Sequence, residues 1–444
     1  MQIIPFRGYR FNPDRIANLE DVISLPYDQL KQHRDERFHD RHPYNIAHII
    51  MNPKKGDDSL TDNQYTRSKK LLNQWLLDSV FLQDLEPSIY PYYQDFCLPN
   101  GKYASRKGFV ALGEITDYSS REVRPHERTM TKPKQDRLQL LRKTLVDSGL
   151  VFVLYSDPKG EIEFELDLLT KQRPEMKALG PEGILNRMWK VSANEGITRI
   201  QQAMNCKSVI IADGHHRYEV AKQFREETAN RFNETPAWSN YRFKLMSFVR
   251  LESPAISILP LHRVLRDMSG FEPAQFLRRL ETFFSVRSIP LNQRTLGKPL
   301  EELLEMLRQQ HQAGRNAFGL YLPTLKYFAL LTFRPNLATS FNWPLNKSEA
   351  WCRLDVSILQ VAIFKELLGI GDRELTQGGY IEYVSDAKDA VCRVAHPPYQ
   401  CAFLLNPTPV EKIQEVVDSG DLLPQKSTHF HPKLMEGLVF AKHL

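Results

Sequence analysis

The stretch Val209–Ala221, VIIADGHHRYEVA, constrains the fold of this chain more than any other. Its three consecutive apolar residues, Val209–Ile211, predict a short buried strand. Asp213 and Gly214 predict a turn, and the residues from His215 onward carry the apolar spacing of a helix. Predicted strands and helices alternate along the rest of the chain as well. The sequence therefore predicts a mixed fold of the α/β or α+β class.

The turn after this strand has the chemistry of an anion site. Asp213 can cap the first amide groups of the helix, and Gly214 has no Cβ, so a phosphate could approach the backbone closely. His215, His216 and Arg217 would lie in the first helical turn, where free amides, the helix dipole and a guanidinium attract anions. An ordinary turn with a solvated arginine is the alternative. A metal ion shared by His215 and His216 is disfavoured, because adjacent helical side chains point about 100° apart.

Composition narrows the class of protein. The chain has 444 residues, of which 42% are hydrophobic and 25% charged, and this suits a globular protein of two or three domains. The net charge of +6 is spread along the chain, without the block of Lys and Arg that would mark a nucleic-acid interface. Nucleic acid is therefore not expected as a partner, and the oligomeric state stays open.

Cysteine usage and hydropathy indicate the compartment. The five cysteines include no C-x-x-C pair, which argues against a disulfide framework or a zinc ribbon and fits a reducing environment. No run of about 18 apolar residues predicts a membrane span. The first residues, MQIIPFRG, lack the apolar core of a signal peptide. We therefore expect a cytoplasmic protein without a membrane partner.

The character of the sequence shifts near Trp238, and we predict two regions, 1–238 and 239–444. The first region holds the turn described above, and the second is an α/β region of unassigned role. Val22–Asp28 is predicted as a strand that ends in a turn centred on Pro26, Tyr44–Ile50 as another strand, and Tyr65–Ser79 as a helix. Residues 86–120 are predicted as a β-hairpin.

A second polar segment contains His126, Glu127 and Arg128. A glutamate beside a histidine and an arginine can act as a general base, anchor a metal ion or form an ion pair. Surface ion pairing is the commonest of these roles. The segment is therefore a candidate catalytic site, which would need further residues from elsewhere in the chain.

A third polar segment, Leu423–Lys433, lies close to the last residue of the chain. It carries side chains that could hold an anion, namely Lys426, Ser427, Thr428 and Lys433. His429 and His431 would share one face of an extended strand, and a metal ion there is conceivable, though its identity is unknown. A well-packed C-terminal strand is the alternative interpretation.

Two further pairs of residues follow prolines at the ends of predicted strands. Tyr27 and Asp28 follow Pro26, and His262 and Arg263 come shortly after Pro260. Ligands of α/β sheets bind beyond the carboxyl ends of strands, so these pairs are additional candidates, each with a structural role as its alternative.

The chain lacks the common signatures of nucleotide-binding and hydrolytic enzymes. It has no Walker A loop, no GxGxxG after a strand, no HExxH, no GxSxG and no protein-kinase set. A nucleotide site in this chain would therefore need another architecture.

A series of motifs in order along the chain resembles one bacterial family. The motifs are PFRG at 5–8, LPYD at 25–28, PYN at 43–45, PHERT at 125–129, IADGHHRYE at 211–219, LPLHR at 259–263 and PQKSTHFHPK at 424–433. On these motifs the chain is identified as a member of the family called domain of unknown function 1015. The family name implies no activity.

The DGHHR box and the preceding PHE segment are also similar to those of the archaeal free-serine kinases, which have the ParB/sulfiredoxin-like fold. The resemblance implies a ParB-like nucleotide-binding core in residues 1–238, with added N-terminal and C-terminal α/β regions. It implies that Asp213, Gly214, His215, His216 and Arg217 bind nucleotide phosphates. It also implies that Glu127 accepts the proton of the acceptor hydroxyl.

Three hypotheses follow. The first is a kinase that uses Mg²⁺ and a nucleotide, ATP or ADP, to phosphorylate a small hydroxyl compound such as free serine. The second is a ParB-like nucleotide-binding switch or slow hydrolase without a small acceptor. The third is a structural turn, or a site for another anion such as a sugar phosphate.

Overall fold

The computed structural model describes residues 1–33, 37–128, 131–192, 194–231, 240–291, 296–325, 327–336, 343–371, 374 and 379–443. The chain forms two compact units. Unit 1 consists of Met1–Pro125, Thr129–Ser257 and Pro432–Leu444. Unit 2 consists of His126–Arg128 and Ile258–His431.

The predicted boundary at residue 238 lies outside the described residues. Beyond it, strand Phe243–Arg250 pairs with two strands of the first region, Tyr103–Glu114 and Val151–Tyr155. The C-terminal segment Pro432–Leu444 also belongs to unit 1. Unit 1 is thus assembled from stretches that lie far apart in the sequence.

Unit 1 contains most of the strands. In chain order they are β1 (Ile3–Ile4), β2 (Tyr9–Phe11), β3 (Phe81–Gln83), β4 (Ser88–Cys97), β5 (Tyr103–Glu114), β6 (Val123–Arg124), β7 (Val146–Asp147), β8 (Val151–Tyr155), β9 (Met176–Leu179), β10 (Leu185–Met188), β11 (Val191–Ser192), β12 (Val209–Asp213) and β13 (Phe243–Arg250). Its α-helices are Tyr27–His33, Arg37–Arg41, Ala47–Ile50, Gln64–Leu77, Thr131–Thr144, Glu161–Leu169, Glu195–Asn205 and His215–Arg231.

The main sheet of unit 1 is mixed. Its strand order is β6-β12-β8-β13-β5-β4-β10-β9, with β1 beside β5 and β11 beside β4. The pairs β6/β12 and β8/β13 are parallel, whereas β12 and β8 run antiparallel. The predicted strand and the predicted hairpin are therefore present, as β12 and as β4 with β5.

The core of unit 1 follows from side-chain periodicity. Alternate residues of β8 and β12 point into one buried cluster, which includes Val151, Val153, Val209 and Ile211. Helix Glu195–Asn205 covers this cluster with residues spaced at i, i+3 and i+7, namely Ile197, Ile200 and Met204.

Unit 2 is built around a six-stranded antiparallel sheet. The strands of this unit are β14 (Ser257–Leu259, whose first residue belongs to unit 1), β15 (His262–Arg266), β16 (Phe284–Pro290), β17 (Ala317–Tyr321), β18 (Tyr327–Phe333), β19 (Ile381–Val384), β20 (Tyr399–Leu404) and β21 (His429–His431). The sheet has the order β16-β18-β17-β20-β15-β19. After unit 2, the chain closes with β22 (Ala441–Lys442) in unit 1, which pairs with β7.

The helices of unit 2 lie between these strands. They are Pro273–Leu280, Gly297–Gln312, Glu349–Cys352, Asp355–Ile358, the π-helix Leu359–Leu367, Ala387–Val394 and Val410–Asp418. Helix Gly297–Gln312 buries Leu300, Leu303 and Leu307, again at i, i+3 and i+7, against the sheet residues of one cluster. The mixture of helices and strands in both units confirms the predicted mixed α/β class.

Two predicted strands near the start of the chain are wrong. Tyr44–Ile50 contains helix Ala47–Ile50, because the Asn45 side chain accepts a hydrogen bond from the Ala47 amide at 2.9 Å and starts a helical turn. Within Val22–Asp28, Ser24 forms an isolated bridge and a helix already begins at Tyr27. Apolar β-branched residues favoured strands locally, but tertiary packing decided otherwise. The predicted helix at 65–79 is present as Gln64–Leu77.

None of the helices in the described part of the chain has the length and apolar character that crossing a bilayer requires.

Candidate functional site

The predicted turn is formed by Asp213, Gly214 and His215. Strand β12 ends at Asp213, and the helix His215–Arg231 begins at His215. Gly214 between them has φ of +91°, a conformation that other residues rarely adopt. The residue before the helix is thus Gly214, one position later than the predicted cap Asp213, while His215 and His216 occupy the first helical turn as expected.

The Asp213 carboxylate lies among positive groups. It accepts hydrogen bonds from the Gly214 amide at 2.7 Å and from Lys433 Nζ at 2.8 Å, and its Oδ1 is 3.8 Å from a nitrogen of Arg217. Burial acts to raise the pKa of Asp213, but the Lys433 ammonium and the Arg217 guanidinium outweigh it and hold this pKa far below its usual range. Asp213 therefore stays ionised at neutral pH.

Lys433 is held in place by a buried arginine. Arg106, 2% exposed, donates to the main-chain carbonyl of Pro432 at 2.5 Å and to the side-chain carbonyl of Gln94. Gln94 in turn donates to the main-chain carbonyl of Lys433 at 3.0 Å. The Arg106 guanidinium also lies 4.7 Å from the centre of the Phe152 ring. Burial lowers the pKa of Arg106 to about 10, so the group is still charged at neutral pH.

The sequence identifies Lys433 as one of four side chains of the third polar segment that could hold an anion, but it does not identify Arg106. Arg106 lies in the middle of strand β5, where its neighbours in sequence give no sign of a buried charge. An arginine inside an otherwise buried hairpin strand is the signal that could have found it, because such a charge needs specific partners.

Arg217 lies behind the turn. Its side chain is 9% exposed, donates to the Leu150 carbonyl and lies 4.0 Å from Asp28 Oδ1. Burial acts to lower the pKa of Arg217, but the charges of Asp213 and Asp28 raise it overall. This guanidinium therefore lies between the Asp28 and Asp213 carboxylates and binds the main chain at Leu150, just before strand β8.

The cavity beside Arg217 is small, at about 60 Å³. Ligand pockets of drug-sized molecules span about 300–1,000 Å³, so this cavity is too small for a nucleotide. Its wall contains Tyr27, Lys244 and Glu436. Lys244 forms a buried ion pair with Asp147 and donates to the Gly149 carbonyl at 2.6 Å.

Burial shifts the ionisation of the groups around this cavity. It raises the pKa of Glu436 and lowers the pKa of Lys244. It also raises the pKa of Tyr27 to about 12, and the Tyr27 ring lies 4.2 Å from the Arg137 guanidinium. Asp28 Oδ1 is buried without a hydrogen-bond partner among the residues described, and its ion pair with Arg217 compensates its charge.

The two histidines of the turn differ in exposure. His215 is 5% exposed and His216 is half-buried. No group of three or more His, Cys, Asp or Glu side chains with metal-binding geometry occurs in the described residues. A protein cage for a metal ion is therefore not formed by this part of the chain.

In unit 2, the polar segment around Glu127 contacts the polar segment around Lys426. His126 Nε2 shares a hydrogen bond of 2.8 Å with Thr428 Oγ1, and Glu127 Oε2 accepts from the Lys426 amide at 3.2 Å. The main chain of Glu127 forms a parallel bridge with Leu423. These two segments are separated by about 300 residues in sequence and are adjacent in the fold.

The pair His262 and Arg263 joins this cluster. Arg263, 4% exposed, donates to the Lys426 carbonyl at 2.9 Å and to the Leu261 carbonyl, and it lies 5.2 Å from the centre of the Tyr383 ring. His262 Nδ1 accepts from the Leu405 amide at 3.1 Å. Burial and the charge of Arg263 lower the pKa of His262 to about 4, so its ring is neutral at physiological pH.

The predicted anion-binding residues of the third segment lie in a loop. Lys426 has φ of +57°, and the Ser427 hydroxyl donates to the Pro424 carbonyl. The strand expected here covers only His429–His431.

The structure thus brings Tyr27, Asp28 and Asp213–Arg217 together in unit 1. In unit 2 it collects His126, Glu127, Arg128, His262, Arg263, Lys426, Ser427 and Thr428.

The chain belongs to the family described as "Protein of unknown function (DUF1015)", whose family model matches residues 3–357. The membership predicted from the motifs is thereby confirmed. No curated protein matches the sequence.

Structural comparison finds distant similarity to a group of solved structures. A conserved hypothetical protein from Pyrococcus furiosus is 10% identical with a TM-score of 0.33, over 72% of this chain and 90% of that one. Free serine kinase in complex with AMP is 13% identical with a TM-score of 0.34, over 72% and 86%. A variant of free serine kinase in complex with ADP is 12% identical with a TM-score of 0.35, over 72% and 87%.

Proposed function

We propose that this protein binds the phosphates of a nucleotide, ATP or ADP, at the turn Asp213–Arg217 and transfers a phosphoryl group to a small hydroxyl compound. Free serine is the acceptor to test first, because the DGHHR box and the PHE segment resemble those of the archaeal free-serine kinases. The observation that carries the proposal is the Lys433 ammonium, 14% exposed, fixed beside the first turn of helix His215–Arg231.

The turn offers the groups that bind phosphate. The first amides of a helix point at its N-terminal end, where the helix dipole favours negative charge. Lys433 adds a positive charge beside Asp213, at the same end of the helix. Arg217 is buried under the turn, and we assign it the role of positioning Asp213 and the main chain.

Mg²⁺ would enter with the nucleotide. This ion keeps several waters and takes one or two carboxylates together with phosphate oxygens. The ionised Asp213 carboxylate fits as one such ligand, whereas no group of three metal-binding side chains occurs among the described residues. When bound, Mg²⁺ would supply charge neutralisation on the phosphates.

The chemical step needs a proton acceptor, and the resemblance of the PHE segment makes Glu127, a residue of unit 2, the candidate for that role. The acceptor oxygen forms a bond to the terminal phosphorus, and the bond from that phosphorus to the bridging oxygen breaks. The nucleotide leaves with one phosphate fewer, and the hydroxyl proton passes to the general base. The Lys426 amide, 3.2 Å from Glu127 Oε2, orients this carboxylate.

Thermal-shift titration tests the nucleotide site. Nucleoside di- and triphosphates with Mg²⁺ are added to the wild type, to Lys433→Ala and to Lys171→Ala, a control that removes an exposed lysine of the same unit. A ligand of the folded state raises its melting temperature. We expect one nucleotide to stabilise the wild type and the control, with about tenfold weaker binding in Lys433→Ala.

A serine-kinase assay with Glu127→Gln tests the chemistry. We expect this variant to bind the nucleotide as the wild type does and to lose turnover, because glutamine cannot accept the proton. Stabilisation by a sugar phosphate and by no nucleotide would refute the proposal in favour of another anion. Nucleotide hydrolysis that ignores every added hydroxyl compound would instead support a switch or slow hydrolase.

A further inference from the structure

Unit 2 contains a cavity of about 240 Å³ that the proposed function does not use. Its wall includes four cationic side chains, Arg128, Arg263, Lys347 and Lys365, and no Asp or Glu among the described lining residues. A concave surface with charges of one sign concentrates the electric field and attracts the opposite charge. The cavity is therefore suited to an anion.

Arg263 is the most informative of these groups. Its side chain is buried, at 4% exposed, and it donates to the carbonyls of Leu261 and Lys426. No carboxylate forms an ion pair with it in the described part of the chain. A buried charge without a counter-ion is costly, because the desolvation of the guanidinium is compensated by dipoles alone. An anion in the cavity would supply the missing charge.

Two of the other cations also have no ion-pair partner within the described ranges, Arg128 and Lys365, both of which are exposed. Lys347 differs, since it pairs with Asp421 at 2.9 Å. The cavity thus has about three positive charges that the described residues do not neutralise. This excess favours a dianion over a monoanion.

The remaining wall is aromatic and apolar. It includes the rings of Trp351 and Tyr383, and Arg263 and Lys347 lie 5.2 and 5.4 Å from the centres of these rings. Aromatic walls of this kind bind flat rings by stacking and by apolar burial. The ligand should therefore carry a planar ring beside its charged group.

One side of the wall comes from an unusual element. Residues Leu359–Leu367 form a π-helix of nine residues, and Gln360, Phe364 and Lys365 of this helix line the cavity. π-Helical segments are rare and occur frequently at functional sites, because they change the direction in which side chains point. This observation is independent of the charge and favours a ligand site at the same cavity.

We propose that this cavity binds a small dianionic organic molecule with a planar aromatic ring. The anion lies against Arg263 and Lys365, and the ring lies between the aromatic and apolar side chains. The volume is below that of most drug-sized pockets, so the ligand is compact. The dianion could be a phosphate monoester or a dicarboxylate, which share this chemistry.

Isothermal titration calorimetry of the full chain tests the proposal with phenyl phosphate, phthalate, inorganic phosphate and benzyl alcohol. We expect one of the two aromatic dianions to bind with one site, and inorganic phosphate and benzyl alcohol to bind at least tenfold more weakly. A preference for phenyl phosphate identifies a phosphate monoester as the natural class, and a preference for phthalate identifies a dicarboxylate. No binding of either aromatic dianion would overturn the proposal.

Variants locate the bound dianion. Arg263→Gln should weaken binding about tenfold or more, and Lys365→Ala about threefold with an effect that fades at high salt. Lys388→Ala, an exposed lysine of the same unit that does not line the cavity, should bind as the wild type does. Equal affinity in all three variants would refute the assignment. If Arg263→Gln does not fold, Lys365→Ala combined with Arg128→Ala carries the same test, since both side chains are exposed.

This site is distinguishable from the nucleotide site of the proposed function. The same variants are titrated with ATP and ADP beside Lys433→Ala. Loss of nucleotide binding in Lys433→Ala alone, and of phenyl phosphate or phthalate binding in Arg263→Gln alone, supports two separate sites. Loss of nucleotide binding in Arg263→Gln would contradict the inference that this cavity takes a different ligand.

Discussion

Two buried arginines, Arg217 and Arg263, lie at the two candidate anion sites. Their side chains are 9% and 4% exposed, and each donates to main-chain carbonyls. They differ in their counter-ions, since Arg217 lies near Asp28 and Asp213 whereas Arg263 has no carboxylate partner in the described ranges. The same residue type can therefore stabilise a turn in one place and leave a charge for a ligand in another.

The buried ring of His262 should make the stability of the folded chain depend on pH. Its pKa is lowered to about 4 by burial and by Arg263, below the ordinary value of 6.5. The unfolded chain then binds more protons than the folded chain between these values, so stability is full above pH 6.5 and falls as the pH drops towards 4. We expect this residue alone to reduce the free energy of unfolding by about 2 kcal/mol at pH 5.

Urea unfolding at pH 7 and pH 5 checks this expectation. His262→Asn keeps an acceptor near the Leu405 amide but cannot be protonated, so it should lose less stability than the wild type between the two pH values. His396→Asn, at an exposed position of the same unit, should behave as the wild type does. An equal loss in the wild type and in His262→Asn would show that the His262 ring is not the cause.

Among the elements, the hairpin of β4 and β5 positions the candidate nucleotide site. The sequence predicts this hairpin from its aromatic strands and its turn. It does not predict that Arg106 and Gln94 on neighbouring strands reach the main chain of Pro432 and Lys433. These contacts join residues separated by more than 300 positions, and no local pattern encodes them.

Replacement of Arg106 tests this role of the hairpin. Arg106→Met leaves the buried carbonyls of Pro432 and Gln94 without their donor, and we expect a loss of about 3 kcal/mol in the free energy of unfolding. Arg199→Met removes an ion pair whose arginine is 51% exposed and should cost less than about 1 kcal/mol. Hydrogen exchange should also show faster exchange of the amides after Pro432 in Arg106→Met. Stability unchanged from the wild type would contradict the assigned role.

At the scale of the whole molecule, the C-terminal segment Pro432–Leu444 completes unit 1. Its backbone pairs with Tyr9, with Ser24 and with strand β7. The Phe440 ring stacks on Tyr9 at 5.3 Å between the ring centres. The segment also buries a series of apolar side chains, Leu434, Met435, Leu438, Val439 and Phe440.

A chain that ends at His431 should therefore fail to form a stable unit 1. Each buried side chain contributes about 1.5–3 kcal/mol, and their sum of about 10 kcal/mol is comparable to the total stability of a typical protein. Circular dichroism and thermal unfolding should show a lost cooperative transition. A chain that ends at Lys442 keeps these side chains and should fold. A cooperative transition at the wild-type temperature in the shorter chain would contradict this prediction.

The sequence by itself determined the local elements and the chemistry of the turn. The run Val209–Ile211 produces a buried strand because consecutive apolar residues favour burial, and Gly214 supplies the left-handed backbone that the turn needs. The motifs also determined the family. These features depend on neighbours in sequence, so a single chain displays them.

The tertiary structure alone decided which side chains face each other. It placed Lys433 beside Asp213 and Glu127 beside the Lys426 amide. It also placed Arg263 in the wall of a cavity, with no carboxylate partner among the described residues. It also turned Ala47–Ile50 into a helix against the local preference for a strand. The physical reason is that burial, ion pairing and desolvation depend on contacts between distant parts of the chain, which no local pattern specifies.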